Sequence, residues 1–242
     1  MRPRADMEAI VLAGGLGTRL RAAVPDLPKP MAPVNGRPFL ERLLDYWIAQ
    51  GVTRFILSTG YRHEAIAAHF GNAFHGAAIH QVVEDRPLGT GGGLLLARGA
   101  VEAAGPFLVL NGDTFFEVPL ATLREFHAAH QAQATLSLFR TPQQGRYTGI
   151  NVGKAGEIRS FGTGARGGLA NGGVYLMEGS LFEGGPWQPR SAVSLEEDIL
   201  PFAVQAGKRV YGLECPGCFL DIGVPDDYAR AAAVLGAAPA RA

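Results

Sequence analysis

The sequence predicts an α/β fold: a single, Rossmann-like, doubly wound mixed sheet with a small second lobe in its C-terminal half. Three observations carry this expectation. Four short apolar runs, 8–13, 54–58, 79–83 and 107–110, read as buried parallel strands. Amphipathic stretches at 38–50, 64–70 and 92–104 separate them, and strand–helix alternation at this spacing is the pattern of a parallel sheet covered on both faces. Glycines, 33 in all, gather beside strand ends, where open α/β sheets bind ligands.

Each element has its own signal. The run 8–13 ends directly in Gly14-Gly15, and Pro38 opens the first helix, where its missing N–H costs nothing. A further helix is expected at 119–131. After it, 134–139, 148–152, 157–161 and 173–177 are short segments between Gly-rich turns, read as strands added to the sheet plus the lobe. One domain is expected over 7–236, with a first part to about 115 and a second over about 116–230. Residues 1–6 read as a disordered lead-in or a start placed ahead of Met7, and the Ala/Pro-rich 237–242 as a frayed tail. No internal repeat is present.

Composition narrows the function. Lys+Arg and Asp+Glu number 22 each, and this balance removes the long-range attraction that a nucleic-acid or anionic-membrane binder uses. Any phosphate site is therefore local. No apolar run approaches the ~20 residues of a bilayer span, and 1–6 lacks the apolar stretch of a secretory signal, so a cytoplasmic setting is expected. Cys215-Pro216-Gly217-Cys218 has no second ligand pair for structural zinc, and 219–222 reads as extended chain instead of the helix that would activate a thiol. A turn between two strands is expected there.

The first strand runs into Leu12-Ala13-Gly14-Gly15-Leu16-Gly17-Thr18-Arg19-Leu20, where glycines allow close backbone approach and free N–H groups can face phosphate oxygens. Two familiar loops are excluded. A Walker A loop needs Gly-Lys-Ser/Thr, but Gly17 precedes Thr18-Arg19; a dinucleotide fingerprint from Gly15 would place its third glycine at Leu20. Arg19 can grip outer phosphates bidentately, and Lys29, fixed between Pro28 and Pro30, offers a point charge to another phosphate.

The run from Ile10 to Glu41, with this loop, Pro28-Lys29-Pro30 and Gly36-Arg37-Pro38-Phe39-Leu40-Glu41, resembles the signature of the sugar-1-phosphate nucleotidylyltransferases. The likeness continues at Glu84-Asp85-Arg86-Pro87-Leu88-Gly89-Thr90-Gly91-Gly92, Asn111-Gly112-Asp113, Asn171-Gly172-Gly173-Val174-Tyr175, Ser194-Leu195-Glu196-Glu197-Asp198 and Asp221 to Tyr228. It covers nearly the whole chain in order. Within the family it is most similar to the branch that guanylylates D-glycero-α-D-manno-heptose 1-phosphate.

The resemblance implies a GT-A-like fold with a sugar-binding lobe and attack by a sugar 1-phosphate on the α-phosphorus of a nucleoside triphosphate. Two anions must meet, so the site needs cations more than a covalent nucleophile. It assigns Mg²⁺ to Asp113 and Asp221, a hard cation on carboxylate oxygens. Arg19 would hold the β and γ phosphates with amides near Gly15 and Gly17 and with Thr18, and Lys29 the α-phosphate or the sugar phosphate. Leu12, Ala13 and Gly14, with Glu84, Gly89 and Thr90, correspond to the base-recognition segments. An acid at 84 accepts from the N1 and exocyclic amino donors of guanine, which favours GTP; the alternative is an exposed strand-end glutamate beside Asp85 and Arg86. Asn111, Gly149, Asn171 and Glu196 correspond to sugar contacts.

One departure concerns the lobe. Many relatives carry Glu-Lys after the strand phenylalanine, whereas Phe161 precedes Gly162-Thr163-Gly164, which leaves Arg166 as the substitute for the sugar-phosphate lysine. His127 and His130 share a helix face but lack a third metal ligand, and a solvated or hydrogen-bonded role is expected for such a pair. Three alternatives remain: a mannose-1-phosphate guanylyltransferase, an N-acetylmuramate-1-phosphate uridylyltransferase, or a nonenzymatic sugar-nucleotide-binding subunit. Arg19, Lys29, Asp113 and Asp221 together argue against the last. The expected assembly is a monomer or small homo-oligomer.

Overall fold

In the computed structural model the described residues are 7–15, 27–141, 147, 149–162, 168–188 and 190–236. The chain opens with β1 (Met7–Ala13); a single 3₁₀ turn at Lys29–Met31 leads to the small hairpin of β2 (Pro33–Val34) and β3 (Arg37–Pro38) and then α1 (Phe39–Ala49). Next come β4 (Val52–Thr59), α2 (His63–Phe70), β5 (Ala73–Phe74), β6 (Ala77–Val83), α3 (Gly89–Ala97) and β7 (Phe107–Asn111). The second half holds β8 (Thr114–Phe116), α4 (Leu120–Ala129), β9 (Ala134–Arg140), β10 (Ile150–Val152), β11 (Ile158–Phe161) and β12 (Leu169–Met177). It ends with α5 (Leu200–Gln205), β13 (Val210–Glu214), β14 (Phe219–Asp221) and α6 (Pro225–Leu235).

Among the described residues the main sheet has the order β13-β9-β12-β7-β1-β4-β6-β5. β7, β1, β4 and β6 are parallel, as the four apolar runs predict, while β12 runs antiparallel to β7 and β9, so the sheet is mixed. The chain winds outward from β1 to β4 and β6, then returns to place β7 on the other side of β1. That reversal opens a crevice past the carboxyl ends of β1 and β7, where such sheets bind ligands.

Period-two alternation explains why the sheet is covered twice. Ala9, Val11 and Ala13 of β1, Phe55 and Leu57 of β4, and Leu108 and Leu110 of β7 face one layer, which holds Leu43 and Trp47 of α1 and Ala231 of α6. Ile10, Ile56, Phe107 and Val109 face the other, which holds Leu94 of α3 and Leu200 of α5. All of these side chains are nearly inaccessible to solvent. Strands buried on both faces read as continuous apolar runs.

Three boundaries differ from the sequence expectation. The helix expected at 92–104 begins at Gly89 and ends at Ala97. Its early start is set by Val193 O, which accepts from the N–H groups of Gly91 and Gly92. Its early end follows from the buried Glu8, whose carboxylate accepts from the N–H groups of Glu102 and Ala103 and pulls that segment out of helix. The strand at 79–83 is not buried on both faces: β6 alternates, and Val83 is among the exposed large apolar side chains, because β6 lies next to the sheet edge and the two-residue β5 beyond it pairs only with Ala77 and Ala78. The segment expected at 173–177 extends back to Leu169.

The cysteine pair lies between β13 and β14 as a turn. Both thiols are free, and burial pushes Cys215 up to about 11. His127 is buried instead of solvated, with Nδ1 2.9 Å from Thr135 Oγ1. His130 bonds Phe126 O and packs on the rings of Phe126 and Tyr211. Among the described residues no group of three or more His, Cys, Asp or Glu is placed to hold a metal, and no helix is long and apolar enough to cross a membrane.

Candidate active site

Strand register brings the site together. Leu12 of β1 pairs with Asn111 of β7, so the chain leaving β1 at Gly14-Gly15 runs beside the Gly112-Asp113 turn. β14 pairs antiparallel with β8, Asp221 opposite Thr114, and Ile222 N–H donates to Asp113 O at 3.1 Å. Two carboxylates 108 residues apart in sequence thereby meet at the crevice.

Lys29 completes this corner. Pro28 and the short turn at Lys29–Met31 fix its backbone, with Met31 N–H on Pro28 O and Ala32 N–H on Lys29 O. Its ammonium bonds Asp113 Oδ2 and lies 3.7 Å from Asp221 Oδ1, with a tenth of the side chain exposed. The flanking prolines thus aim a side chain inward, toward carboxylates.

Beyond this corner opens a cleft of about 310 Å³ lined by the 12–15 segment, Lys29, Pro30, Glu84, Pro87, Gly89, Thr90, Asn111 and Asp113. Glu84 is half-buried and turned inward, unlike its neighbours Asp85, which pairs with Arg190, and Arg86, which donates to Arg190 O. Its Oε2 accepts from Leu88 N–H at 3.0 Å and its Oε1 lies 3.3 Å from Ser58 Oγ. Burial raises its pKa, and these two donors offset part of that rise. Space for the carboxylate depends on two glycines: a Cβ at Gly14 would overlap Glu84 Oε1, and one at Gly93 would meet it at 2.7 Å.

A smaller cleft of about 150 Å³ adjoins the first through Asn111 and is lined by Tyr147, Ile150, Phe161, Asn171, Glu196 and Leu200. A hydrogen-bonded relay crosses it. Thr90 Oγ1 accepts from Leu195 N–H at 2.9 Å and donates to Glu196 Oε2 at 2.7 Å. Glu196 Oε1 accepts from Tyr175 Oη at 3.1 Å, which in turn accepts from Asn171 Nδ2 at 2.7 Å. Burial holds the Tyr175 phenol well above its usual 10, so it stays a donor to the carboxylate. Asn111 Oδ1 is buried with no hydrogen-bond partner among the described residues, an acceptor whose burial calls for a ligand donor.

The sequence-predicted residues therefore divide as follows. Leu12, Ala13, Gly14, Gly15, Lys29, Glu84, Gly89, Thr90, Asn111 and Asp113 line one cleft, Asp221 reaches its edge through Lys29, and Asn171 and Glu196 line the second. Gly149 bridges to Ala170 and accepts from Gly162 N–H, framing the second cleft without lining it. Gly17, Thr18, Arg19 and Arg166 lie outside the described residues. Sequence reasoning missed Tyr175 as a functional residue. Its signal was the Asn-Gly-Gly within a strand pattern, which marks a bulge: register shifts between Asn171 and Tyr175, and Gly173, at φ +72°, donates its N–H to Asn171 Oδ1. A wider depression of about 560 Å³ beside β13 and α6 shares only Tyr147 with the site.

The nucleotidyl transferase family model matches residues 8–237. The chain belongs to the nucleotidyl transferase family. Among related members are the D-glycero-α-D-manno-heptose 1-phosphate guanylyltransferases of Aneurinibacillus thermoaerophilus, 41% identical over 229 residues, and Campylobacter jejuni, 37% identical over 226 residues. The first comparison covers 93% of this chain and 96% of the relative, the second 92% and 97%. A crystal structure of HddC from Yersinia pseudotuberculosis complexed with GMP-PN shares 31% identity at a TM-score of 0.80, covering 94% of this chain and 99% of that one. This nucleotidyl transferase thus aligns with these relatives along nearly their whole length.

Proposed function

We propose that this nucleotidyl transferase carries GMP from GTP to D-glycero-α-D-manno-heptose 1-phosphate in the cytoplasm, forming GDP-heptose and pyrophosphate. The observation that carries the reading is the convergence of Asp113, Asp221 and Lys29 beside a glycine-lined cleft that Glu84 also lines. An oxygen of the sugar phosphate attacks the α-phosphorus, the bond to the β-phosphate oxygen breaks, and pyrophosphate leaves with that electron pair. No proton acceptor of unusual basicity is needed, because the attacking oxygen is already anionic.

Glu84 accepts from guanine N1–H and its amino group, while backbone groups at 12–15 border the same base. A pyrimidine lacks this paired edge and would leave the half-buried carboxylate with only its Leu88 and Ser58 donors. Lys29 neutralises charge on the transferring phosphate, and Arg19 is assigned the outer phosphates by its place in the loop. Asn171 and Glu196, with the unpartnered Asn111 Oδ1, face sugar hydroxyls, and Gly149 shapes that cleft. Asp113 and Asp221 fit Mg²⁺, since two carboxylates converge on a point now held by a cationic ammonium and phosphates supply further oxygens. When bound there, Mg²⁺ would offset charge as two anions approach.

Pyrophosphate release from GTP, ATP, UTP and dTTP against several sugar 1-phosphates tests the assignment. GTP with the heptose 1-phosphate gives the highest kcat/KM, with mannose 1-phosphate a poorer acceptor. Faster turnover of UTP or dTTP overturns the base assignment, and a preference for mannose 1-phosphate overturns the sugar assignment alone.

A further inference from the structure

Lys29, Asp113 and Asp221 share their corner with Gly223, whose N–H donates to Asp221 Oδ1 at 2.8 Å. A Cβ at Gly223 would overlap the Lys29 ammonium and come within 2.9 Å of Asp221 Oδ1. The residue is not among the glycines with positive φ, so what glycine supplies here is room and not backbone freedom. The ammonium therefore has a seat, and that seat lies where the two carboxylates converge. Two cations cannot occupy one carboxylate pair without strong mutual repulsion in this half-buried corner.

We propose that Lys29 is a built-in competitor for the metal position: it neutralises Asp113 and Asp221 until nucleotide phosphates draw its ammonium away, so that divalent cation and nucleotide are taken up together. The inference rests on the metal assignment of Asp113 and Asp221. Lysine suits the role because its charge is a compact point on a flexible four-carbon stem, and three rotatable donors serve carboxylate or phosphate equally. Pro28 and Pro30 confine the exchange to the side chain, leaving the backbone in place. Seated lysine reduces the fraction of protein competent to bind metal, and apparent metal affinity falls by that fraction.

Mn²⁺ binding without nucleotide, followed by calorimetry and by electron paramagnetic resonance of free Mn²⁺, tests this apart from activity. Lys29→Met binds Mn²⁺ at least about tenfold more tightly than wild type, the scale expected when a competing state holding most of the protein is removed. Gly223→Ala, which keeps the lysine charge but fills its seat, shifts affinity in the same direction. Asp113→Asn abolishes binding. If Asp113→Asn leaves Mn²⁺ affinity unchanged, the metal assignment itself fails. If Asp113→Asn abolishes binding while Lys29→Met binds no more tightly than wild type, the competition is overturned and the metal site stands. A Gly223→Ala affinity at or below wild type overturns the glycine's part as the seat.

Discussion

The two clefts are built on different principles. The one assigned to nucleotide stands at the ends of parallel strands, and its shape depends on missing side chains: Gly14 and Gly93 leave the space into which Glu84 turns. The one assigned to sugar stands on the antiparallel strand β12, and its shape depends on side chains that hold one another, from Thr90 through Glu196 and Tyr175 to Asn171. The first is specified by backbone approach and leaves no room for added bulk at Gly14 or Gly93. The second is specified by a polar relay in which each member is satisfied by the next, so removal of one leaves others unpaired. Thr90 belongs to both, since it opens α3 in the first cleft and anchors Glu196 in the second.

The largest effect is expected at the carboxylate corner of the first cleft. Asp113→Asn keeps the shape of the corner but removes a carboxylate charge, and turnover at saturating Mg²⁺ should fall by roughly a hundredfold or more, the scale of losing a principal electrostatic stabiliser. Steady-state pyrophosphate release measures it. Near-normal turnover would remove the carboxylates from the chemistry and leave the two clefts as separate binding surfaces.

Next in size is a change confined to the first cleft. Glu84→Gln retains volume but replaces one acceptor oxygen by a donor amide facing guanine's own donors. The preference for GTP over UTP in kcat/KM should drop by about ten- to a hundredfold, while the KM for sugar 1-phosphate stays within about twofold by the independence of non-contacting sites. An unchanged base preference would move base reading to the backbone at 12–15.

This difference also governs what the sequence disclosed. The glycine-dependent cleft was legible because close backbone approach leaves a composition trace, Gly14-Gly15 after one strand and Gly89 to Gly93 after another. The parallel half of the sheet was legible for the related reason that strands buried on both faces are continuous apolar runs. The relay left a weaker trace: Asn171-Gly172-Gly173 and Glu196 stand out, but its central hydroxyl does not. Tyr175 reads as one more apolar strand residue, and its role appears only when a bulge and the 194–199 turn bring Asn171 and Glu196 to its hydroxyl. Lys29 was legible as an aimed side chain, but its partners were not, since they depend on the pairing of β8 with β14. The end of α3 was misread because the buried Glu8, remote in sequence, captures two of its expected N–H groups.

A smaller effect is expected from Tyr175→Phe, the converse of the Glu84 change. Without the hydroxyl, Asn171 loses its acceptor and Glu196 loses a donor, each within the second cleft. The KM for sugar 1-phosphate should rise about tenfold, the cost of about 1.4 kcal/mol in a weakened polar network, with the KM for nucleotide unchanged. If both KM values rise together, Thr90 transmits the loss and the clefts are one coupled unit.

The smallest effect on activity, and one that separates stability from function, is expected at His127. It lies on α4 against Thr135, and Thr135 is level with Leu176 and so with Leu108 near the start of β7, the end of the sheet away from the site. Burial lowers its pKa from 6.5 to about 4, because an imidazolium there would lose its hydration and Glu178 Oε1, at 3.7 Å, is too far to hydrogen-bond. The unfolded chain therefore binds this proton more readily than the folded one between pH 6.5 and 4. Stability from this group is fully present above about pH 6.5 and is lost as pH falls toward 4, by about 2 kcal/mol at pH 5. Glu84 acts in the opposite sense: burial raises its pKa, so the folded protein holds the proton more tightly and stability falls as pH rises through the range just above 4.5. Urea unfolding at pH 7 and pH 5 should accordingly show His127→Gln losing less stability than wild type over that interval, with kcat/KM at pH 7 the same in both. Parallel losses in the two proteins would place the acid sensitivity elsewhere, and a fall in kcat/KM at pH 7 would show that the far end of the sheet reaches the site.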